Sequence, residues 1–486
     1  MSEQKPRISK GAILALTCAA QFMVVLDIAI VNVALPSIQT DLGVGESTLQ
    51  WVVIAYGLLL GGFLMFGGRL ADLIGRRRIL VTGLAIFSAS SLLAGLSESA
   101  GLLITARGLQ GFGAAMIAPT ALSILAVTFA DGRERNRALG IYGAVGGTSA
   151  SIGVIASGLL TDGPGWRWVF FINVPIGVVL MVMAFVVLAR DNSQRSSSKF
   201  DAAGATTITG GLLALVYALN RGADHGWTSA STLLLFALAG VLLAAFVVIE
   251  GRSQAPLVPA AALRHRSLVA ANLSAFFTFG AFFSFIFLGS LLMQQVLGYS
   301  PTKTGVSWLA TSVTAFVASG LTGGLLVGKV GVRKLVITGL TLLAIGMLLL
   351  ARVPADANYV TDLLPAFLLA GIAIGLCAPS LQISALSGVA ESSAGIASGL
   401  VETMREVGGA AGVAAVSTAL VSRTGLAGFH AGFVLIAVVS VVGAVTAAVS
   451  FQRRSATAEQ HAAVLDFAGE FASVGAPLFD EVRQAS

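Results

Sequence analysis

The amino-acid sequence predicts an all-α integral membrane protein with fourteen transmembrane helices, on three observations. First, the 486 residues are 56% hydrophobic and only 11% charged, with a mean hydropathy of +0.90. A soluble domain carries about 25% charged residues, so this chain could not cover a water-facing surface. Second, its apolar residues gather into fourteen runs of roughly 20 residues or more, the length that crosses a bilayer as a helix. Third, Lys and Arg are dense in every other connection, as positive-inside sorting demands. The composition excludes a soluble enzyme, a nucleic-acid binder and a disordered chain. The net charge of +6 is read as membrane orientation, and the bilayer is the expected partner.

The runs follow in order. The first, 11–37, is too long for a cleavable signal and continues through Asp27 and Asn32. The second, 50–70, ends in GGRLADLIGRRR, and the third, 78–97, starts from those arginines. The fourth, 101–126, contains Arg107. The fifth, 138–160, carries Gly140, Gly143, Gly147, Ser151 and Gly158 at spacings of three and four, a stripe suited either to close packing or to a sliding interface. The sixth, 168–189, is followed by RDNSQRSSSKFD (190–201), which reads as a flexible linker. Runs seven and eight, 203–221 and 231–250, precede a ninth at 268–292 and a tenth at 305–328. The tenth ends in GGLLVGKVGVRKLV (323–336), a weak repeat of GGRLADLIGRRRIL (67–80). Such repeats mark transporters built from two similar halves, which makes runs seven and eight an inserted pair. Runs eleven to fourteen occupy 333–352, 361–385, 394–421 and 428–451. The expected organisation is a six-helix half at 1–190, a linker and inserted pair at 191–266, a second six-helix half at 267–452 and a polar tail at 453–486.

With the N-terminus placed inside, 21 of the 29 Lys and Arg residues fall on the inner side and 5 on the outer. One span miscounted early would destroy that split, so both termini are expected in the cytoplasm, with the protein in the cell membrane. Arg69, Arg107 and Arg405 remain within spans.

Charges inside a bilayer cost about 2.5–3.5 kcal/mol each on insertion scales, so each asks for a reason. Asp27 lies mid-way along run one with no cation on its helix face. It reads either as a carboxylate hydrogen-bonded for structure or as a protonatable group facing a water-filled cavity. Arg107 reads as a structural clamp or as the cationic partner of a proton site, with Gln110 on its face. Glu402, Arg405 and Glu406 share one face of run thirteen, either as a self-neutralised cluster near the cytoplasmic end or as a second proton or substrate-cation site. Asp72 and Arg76 stand four apart at the inner end of run two. Gln50, Trp51, Tyr56, Gln110, Asn272, Gln294 and Gln382 are polar or aromatic residues of spans and so candidate cavity lining. Two cysteines and four scattered histidines form neither a disulfide framework nor a metal site. A phosphate loop of the form GxxxxGK[ST] is absent, so the expected energy source is a proton gradient, with no cofactor and no enzymatic activity.

These motifs resemble a known family. GGRLADLIGRRR (67–78) resembles the loop 2–3 signature of the major facilitator superfamily, and ARGLQGFGAA (106–115) is similar to its fourth-helix motif. LDIAIVNVALP (26–36) and WRWVFFINVPIG (166–177) look like the first- and sixth-helix motifs of its fourteen-span drug:proton antiporters, the QacA/EmrB type. The resemblance covers about residues 10–452. It implies the major facilitator fold, two six-helix halves with two inserted central helices, working as a monomer by alternating access. It implies a proton-driven exporter of antibiotics or other small amphipathic compounds, conferring resistance or, as in antibiotic-producing actinomycetes, self-resistance. A proton-coupled importer or facilitator of a small metabolite is the alternative. Within the resemblance, Gly68, Asp72, Gly75, Arg76 and Arg77 form a conformational lock, while Asp27, Arg107 and Arg405 match family positions tied to proton coupling. The sequence departs from the family where Gly-Pro-x-x-Gly-Gly is usual in the fifth helix, since Val154 replaces the proline and Ser157 a glycine. Glu402 and Glu406 also stand where amides are common.

Overall fold

The computed structural model describes residues 9–189, 201–253, 256 and 265–451. The 453–486 tail, all of the 190–201 linker except Asp201, and the side chain of Gln50 lie outside the described residues. Helices occupy nearly all of the rest, and no strand occurs among the described residues.

In chain order the long helices are α1 (Lys10–Leu42), α2 (Glu46–Ile74), α3 (Arg76–Gly95), α4 (Ala100–Thr128) and α5 (Arg133–Asp162). Then come α6 (Trp168–Val187), α7 (Ala202–His225), α8 (Ala230–Arg252), α9 (Arg266–Val296) and α10 (Thr302–Val330). The last four are α11 (Val332–Leu350), α12 (Tyr359–Leu386), α13 (Ala394–Val421) and α14 (Leu426–Ser450). Twelve helices among the described residues are long and apolar enough to cross a membrane. The other two, α5 and α13, have 30 and 28 residues. Helix α13 carries the Glu402–Arg405–Glu406 group within its length, whereas α5 opens on a charged turn, Arg133, Glu134, Arg135 and Arg137, ahead of an uncharged stretch over 138–161.

The packing pattern repeats eight helices apart. In the first set α2 packs on α4, α3 on α4 and α6, and α1 on α5. In the second, α10 packs on α12, α11 on α12 and α14, and α9 on α13. The turns repeat too. Gly75 between α2 and α3 and Gly331 between α10 and α11 have φ of 115° and 83° with ψ near 140–150°, a region that side chains with a Cβ avoid. Two residues beyond each glycine, an arginine donates to the end of another helix, Arg77 to the Phe185 carbonyl (2.9 Å) and Arg333 to the Ala448 carbonyl (2.8 Å).

The two sets meet along α2–α13 and α5–α10. At the arginine-rich end these seams are backbone-close. A Cβ on Gly68 would lie 2.2 Å from the Gly395 carbonyl oxygen, and one on Gly140 would lie 2.8 Å from Gly323 Cα. The α7–α8 pair has no counterpart in the repeat. Helix α7 packs on both α2 and α13, while α8 leans on α7 and buries only Thr232 and Ala239.

Candidate functional site

Two charged clusters lie inside the bundle. The first centres on Asp27 of α1, which is fully buried. Arg107 of α4 pairs with its Oδ2. Its Oδ1 accepts from Gln110 Nε2 (3.1 Å) and from Asn173 Nδ2 (2.8 Å). Arg107 also donates to Gln110 Oε1 (2.9 Å) and to the Val52 carbonyl (3.0 Å), and its guanidinium lies 4.3 Å from the Tyr56 ring centre. Gln110 donates as well to Ser91 Oγ (2.6 Å). Five helices, α1, α2, α3, α4 and α6, thus converge on one carboxylate. A buried charge is tolerable only when paired and hydrogen-bonded, and this one has three side-chain donors. No cation shares the helix face of Asp27; Arg107 reaches it from α4, 80 residues away.

Local sequence explains how Asn173 arrives there. Pro175 has no N–H to give the Phe171 carbonyl, and the α6 helix is interrupted at Ile172. Asn173 opens the segment beyond the break, facing α1.

The second cluster lies on α13. Arg405 Nη1 stands 2.5 Å from Glu402 Oε2, and Arg405 Nη2 donates to Glu406 Oε1 at 2.9 Å. Glu402 is 1% exposed and lies eight residues into α13, about 12 Å along the axis. It is thus buried within the bundle, as Asp27 is. The cluster faces the first set of helices. Glu406 Cβ is 3.8 Å from where a Cβ on Gly61 of α2 would stand, and the charges of Glu402 and Arg405 reach Tyr142 of α5. Tyr142 donates to Gln21 Oε1 of α1 (2.8 Å). With all three groups ionised, the α13 cluster has a net charge of −1, whereas Asp27 and Arg107 cancel.

A third arrangement closes the arginine-rich end. Asp72 Oδ1 accepts from the Gly395 N–H (3.0 Å) and Oδ2 from the Ile396 N–H (3.1 Å). These are free N–H groups of the first turn of α13, so Asp72 caps that helix from another part of the chain. Arg76 bonds Asp72 Oδ1 (3.0 Å), Ser123 Oγ (2.7 Å) and the Glu391 carbonyl. Arg77 instead joins α3 to α6, and Gly75 forms the turn. At the opposite end Asp41 accepts from Arg167 (2.7 Å) and Trp166 (3.1 Å). Those hydrogen bonds, led by Arg167, hold its carboxyl below the usual range, so this clamp persists at mildly acid pH.

The cavity candidates scatter. Gln110 belongs to the Asp27 network, fully buried rather than lining a cavity. Tyr56 covers Arg107. Trp51 is partly exposed and packs on Tyr217 of α7 (5.7 Å). Asn272 bonds its own helix at the Leu268 carbonyl (2.8 Å), and Gln294 is exposed near the end of α9. Gln382 of α12 is buried beside Glu402. Sequence reasoning missed Asn173, Ser91 and the Tyr142–Gln21 pair. The only signal was a polar side chain within an apolar span.

The Major Facilitator Superfamily family matches residues 17–413 and, in a second match, 272–479. The chain is 39% identical to the puromycin resistance protein of Streptomyces alboniger over 81% of its length and 78% of that protein's. It is 37% identical to the cephamycin export protein of Amycolatopsis lactamdurans over 81% of each. It is 35% identical to a multidrug resistance protein of Mycobacterium tuberculosis over 79% of its length and 71% of that protein's. Among solved structures, the human organic anion transporter MFSD10 superposes with a TM-score of 0.68 at 16% identity, covering 91% of this chain and 100% of that one. At that identity the likeness concerns the fold alone.

Proposed function

The chain belongs to the major facilitator superfamily, and from that membership we propose that it is a proton-driven exporter of antibiotics or other small amphipathic compounds. The observation that carries this reading is the Asp27–Arg107 pair, buried where five helices meet, in a chain whose relatives are named for antibiotic resistance and export. We assign it to the fourteen-span drug:proton antiporters. On that assignment α5 and α13 cross the membrane with the other twelve helices, α7 and α8 are the inserted pair, and the arginine-rich end is cytoplasmic. The protein works as a monomer in the cell membrane.

The chemistry follows from the pair. Protonating Asp27 strips Arg107 of its counter-ion, and breaking a buried pair costs about 3–5 kcal/mol. The protein is therefore driven toward an arrangement in which Arg107 is solvated or re-partnered. A proton moving down a membrane potential supplies about 2.3 kcal/mol per 100 mV, a sum of the same order. Loaded and unloaded states thus favour different arrangements, which is all that coupling requires. The Asp72 cap and the Gly68–Gly395 contact hold the cytoplasmic end shut in the present arrangement. The net-negative α13 cluster attracts a cationic group of the substrate or a second proton.

Drug-susceptibility panels in a pump-deleted host test the reading. Expression should raise tolerance to at least one antibiotic, and a protonophore should remove the gain. The importer alternative draws on one feature, the absent proline at Val154. Inside-out vesicles separate the two: export predicts drug accumulation when the lumen is acidified, and import predicts none.

A further inference from the structure

Asn173 has one satisfied and one unsatisfied end. Its Nδ2 donates to Asp27 Oδ1 at 2.8 Å. Its Oδ1 is buried and has no hydrogen-bond partner among the described residues. The residue itself is fully buried, so bulk water does not reach that oxygen from outside. An orphaned buried carbonyl is costly to keep. Its retention is explained if another state of the site satisfies it.

The geometry points to Asn173 as the positioning residue that reads whether Asp27 carries a proton. This rests on Asp27 being the coupling carboxylate. When Asp27 is ionised, the amide N–H faces it, as observed. When Asp27 takes a proton, its carboxyl gains an O–H donor. Rotation of the Asn173 amide by half a turn then presents Oδ1 as the acceptor, and Nδ2 leaves the carboxyl. The proton stays on Asp27 throughout and no bond other than its O–H is made. Gln110 cannot serve as well, because both ends of its amide are engaged, Oε1 by Arg107 and Nε2 by Ser91 and Asp27.

The charged or titratable side chains facing Asp27 are Arg107 from α4 and Tyr56 from α2. Helices α3 and α5 carry charged residues only near their ends, and α6 carries none. Asn173 is therefore the group on α6 that can respond to the carboxyl, and α6 is the element whose break lies beside it.

The test uses the purified full-length chain in lipid. Asn173→Ala removes both the donor to the ionised form and the acceptor for the protonated form. The bond to the ionised form is about twice as strong, so the loss falls mainly on it. Half-maximal gradient-driven transport should move to a proton concentration about fivefold lower, with drug affinity at alkaline pH unchanged. Asn173→Asp keeps the shape, removes the donor and adds a second carboxyl. It should shift the profile further in the same direction, and it serves if the alanine variant folds poorly. In difference infrared spectra, the carboxylic C=O band that Asp27→Asn abolishes should change frequency in Asn173→Ala, because its O–H has lost an acceptor. Wild-type pH profiles and an unmoved band in both Asn173 variants would overturn the inference. If Asp27→Asn itself keeps gradient-driven transport, the assignment of Asp27 falls instead, whatever the Asn173 variants do.

Discussion

Asp27 and Arg107 were legible in the sequence because a charge in an apolar span has few reasons to exist, and pairing is the cheapest. Their contact was not legible, since it joins residues 80 apart on helices whose facing depends on the whole bundle. Asn173 was harder still. A single amide in a span costs too little to stand out, and its partner is 146 residues distant. The pair predicts that Arg107 tolerates no ordinary replacement. Arg107→Lys keeps the charge but loses the fork that spans Asp27, Gln110 and the Val52 carbonyl. Transport in everted vesicles should fall at least tenfold, with normal membrane abundance by immunoblot; near wild-type rates would show that charge alone suffices. On α13, Glu402→Gln should leave gradient coupling in place while changing affinity for cationic drugs. If coupling is lost there and retained in Asp27→Asn, the proton site belongs to α13.

Helix ends and crossings explain how the halves hold together. Asp72 acts on an element rather than on a ligand, capping α13 through the Gly395 and Ile396 N–H groups. Such caps are worth about 0.5–2 kcal/mol, enough to bias two arrangements without fixing one. Asp72→Asn should therefore slow transport several-fold while drug binding by the purified protein stays within about twofold, a cap of this size being felt only in the closed arrangement. An equal loss of affinity would place Asp72 in the binding machinery. Gly68→Val should be harsher, because its side chain would collide with the Gly395 carbonyl. A cysteine placed on the α2–α13 seam should become reactive from the cytoplasm in that variant and remain protected in the parent. The repeat at 67–80 and 323–336 was readable because both copies need glycine at the same turn. Its asymmetry was readable too, since Gly328 stands where Asp72 does. The partner of Asp72 was not, because the start of α13 carries no residue that announces it.

At the scale of the molecule, composition fixed the class and the spacing of apolar runs fixed most helices. One of them, α13, interrupts its apolar run with the charges of the second cluster. Reporter fusions at Ser198 and Ser455 should both read cytoplasmic and one at Ala223 external; an external reading at Ser455 would remove a span from the proposed fourteen. Removing α7 and α8 should leave a folded bundle with impaired transport, since they overlie α2 and α13 but supply nothing to the Asp27 network; loss of expression would make them part of the core. The central claim is that a proton on Asp27 drives drug across the membrane. It is tested most directly in proteoliposomes with an imposed pH gradient, comparing the parent chain with Asp27→Asn. The account predicts uphill drug movement coupled to opposite proton flow in the parent, and in the variant undiminished drug binding with no uphill movement. Equal uphill movement in both would contradict it.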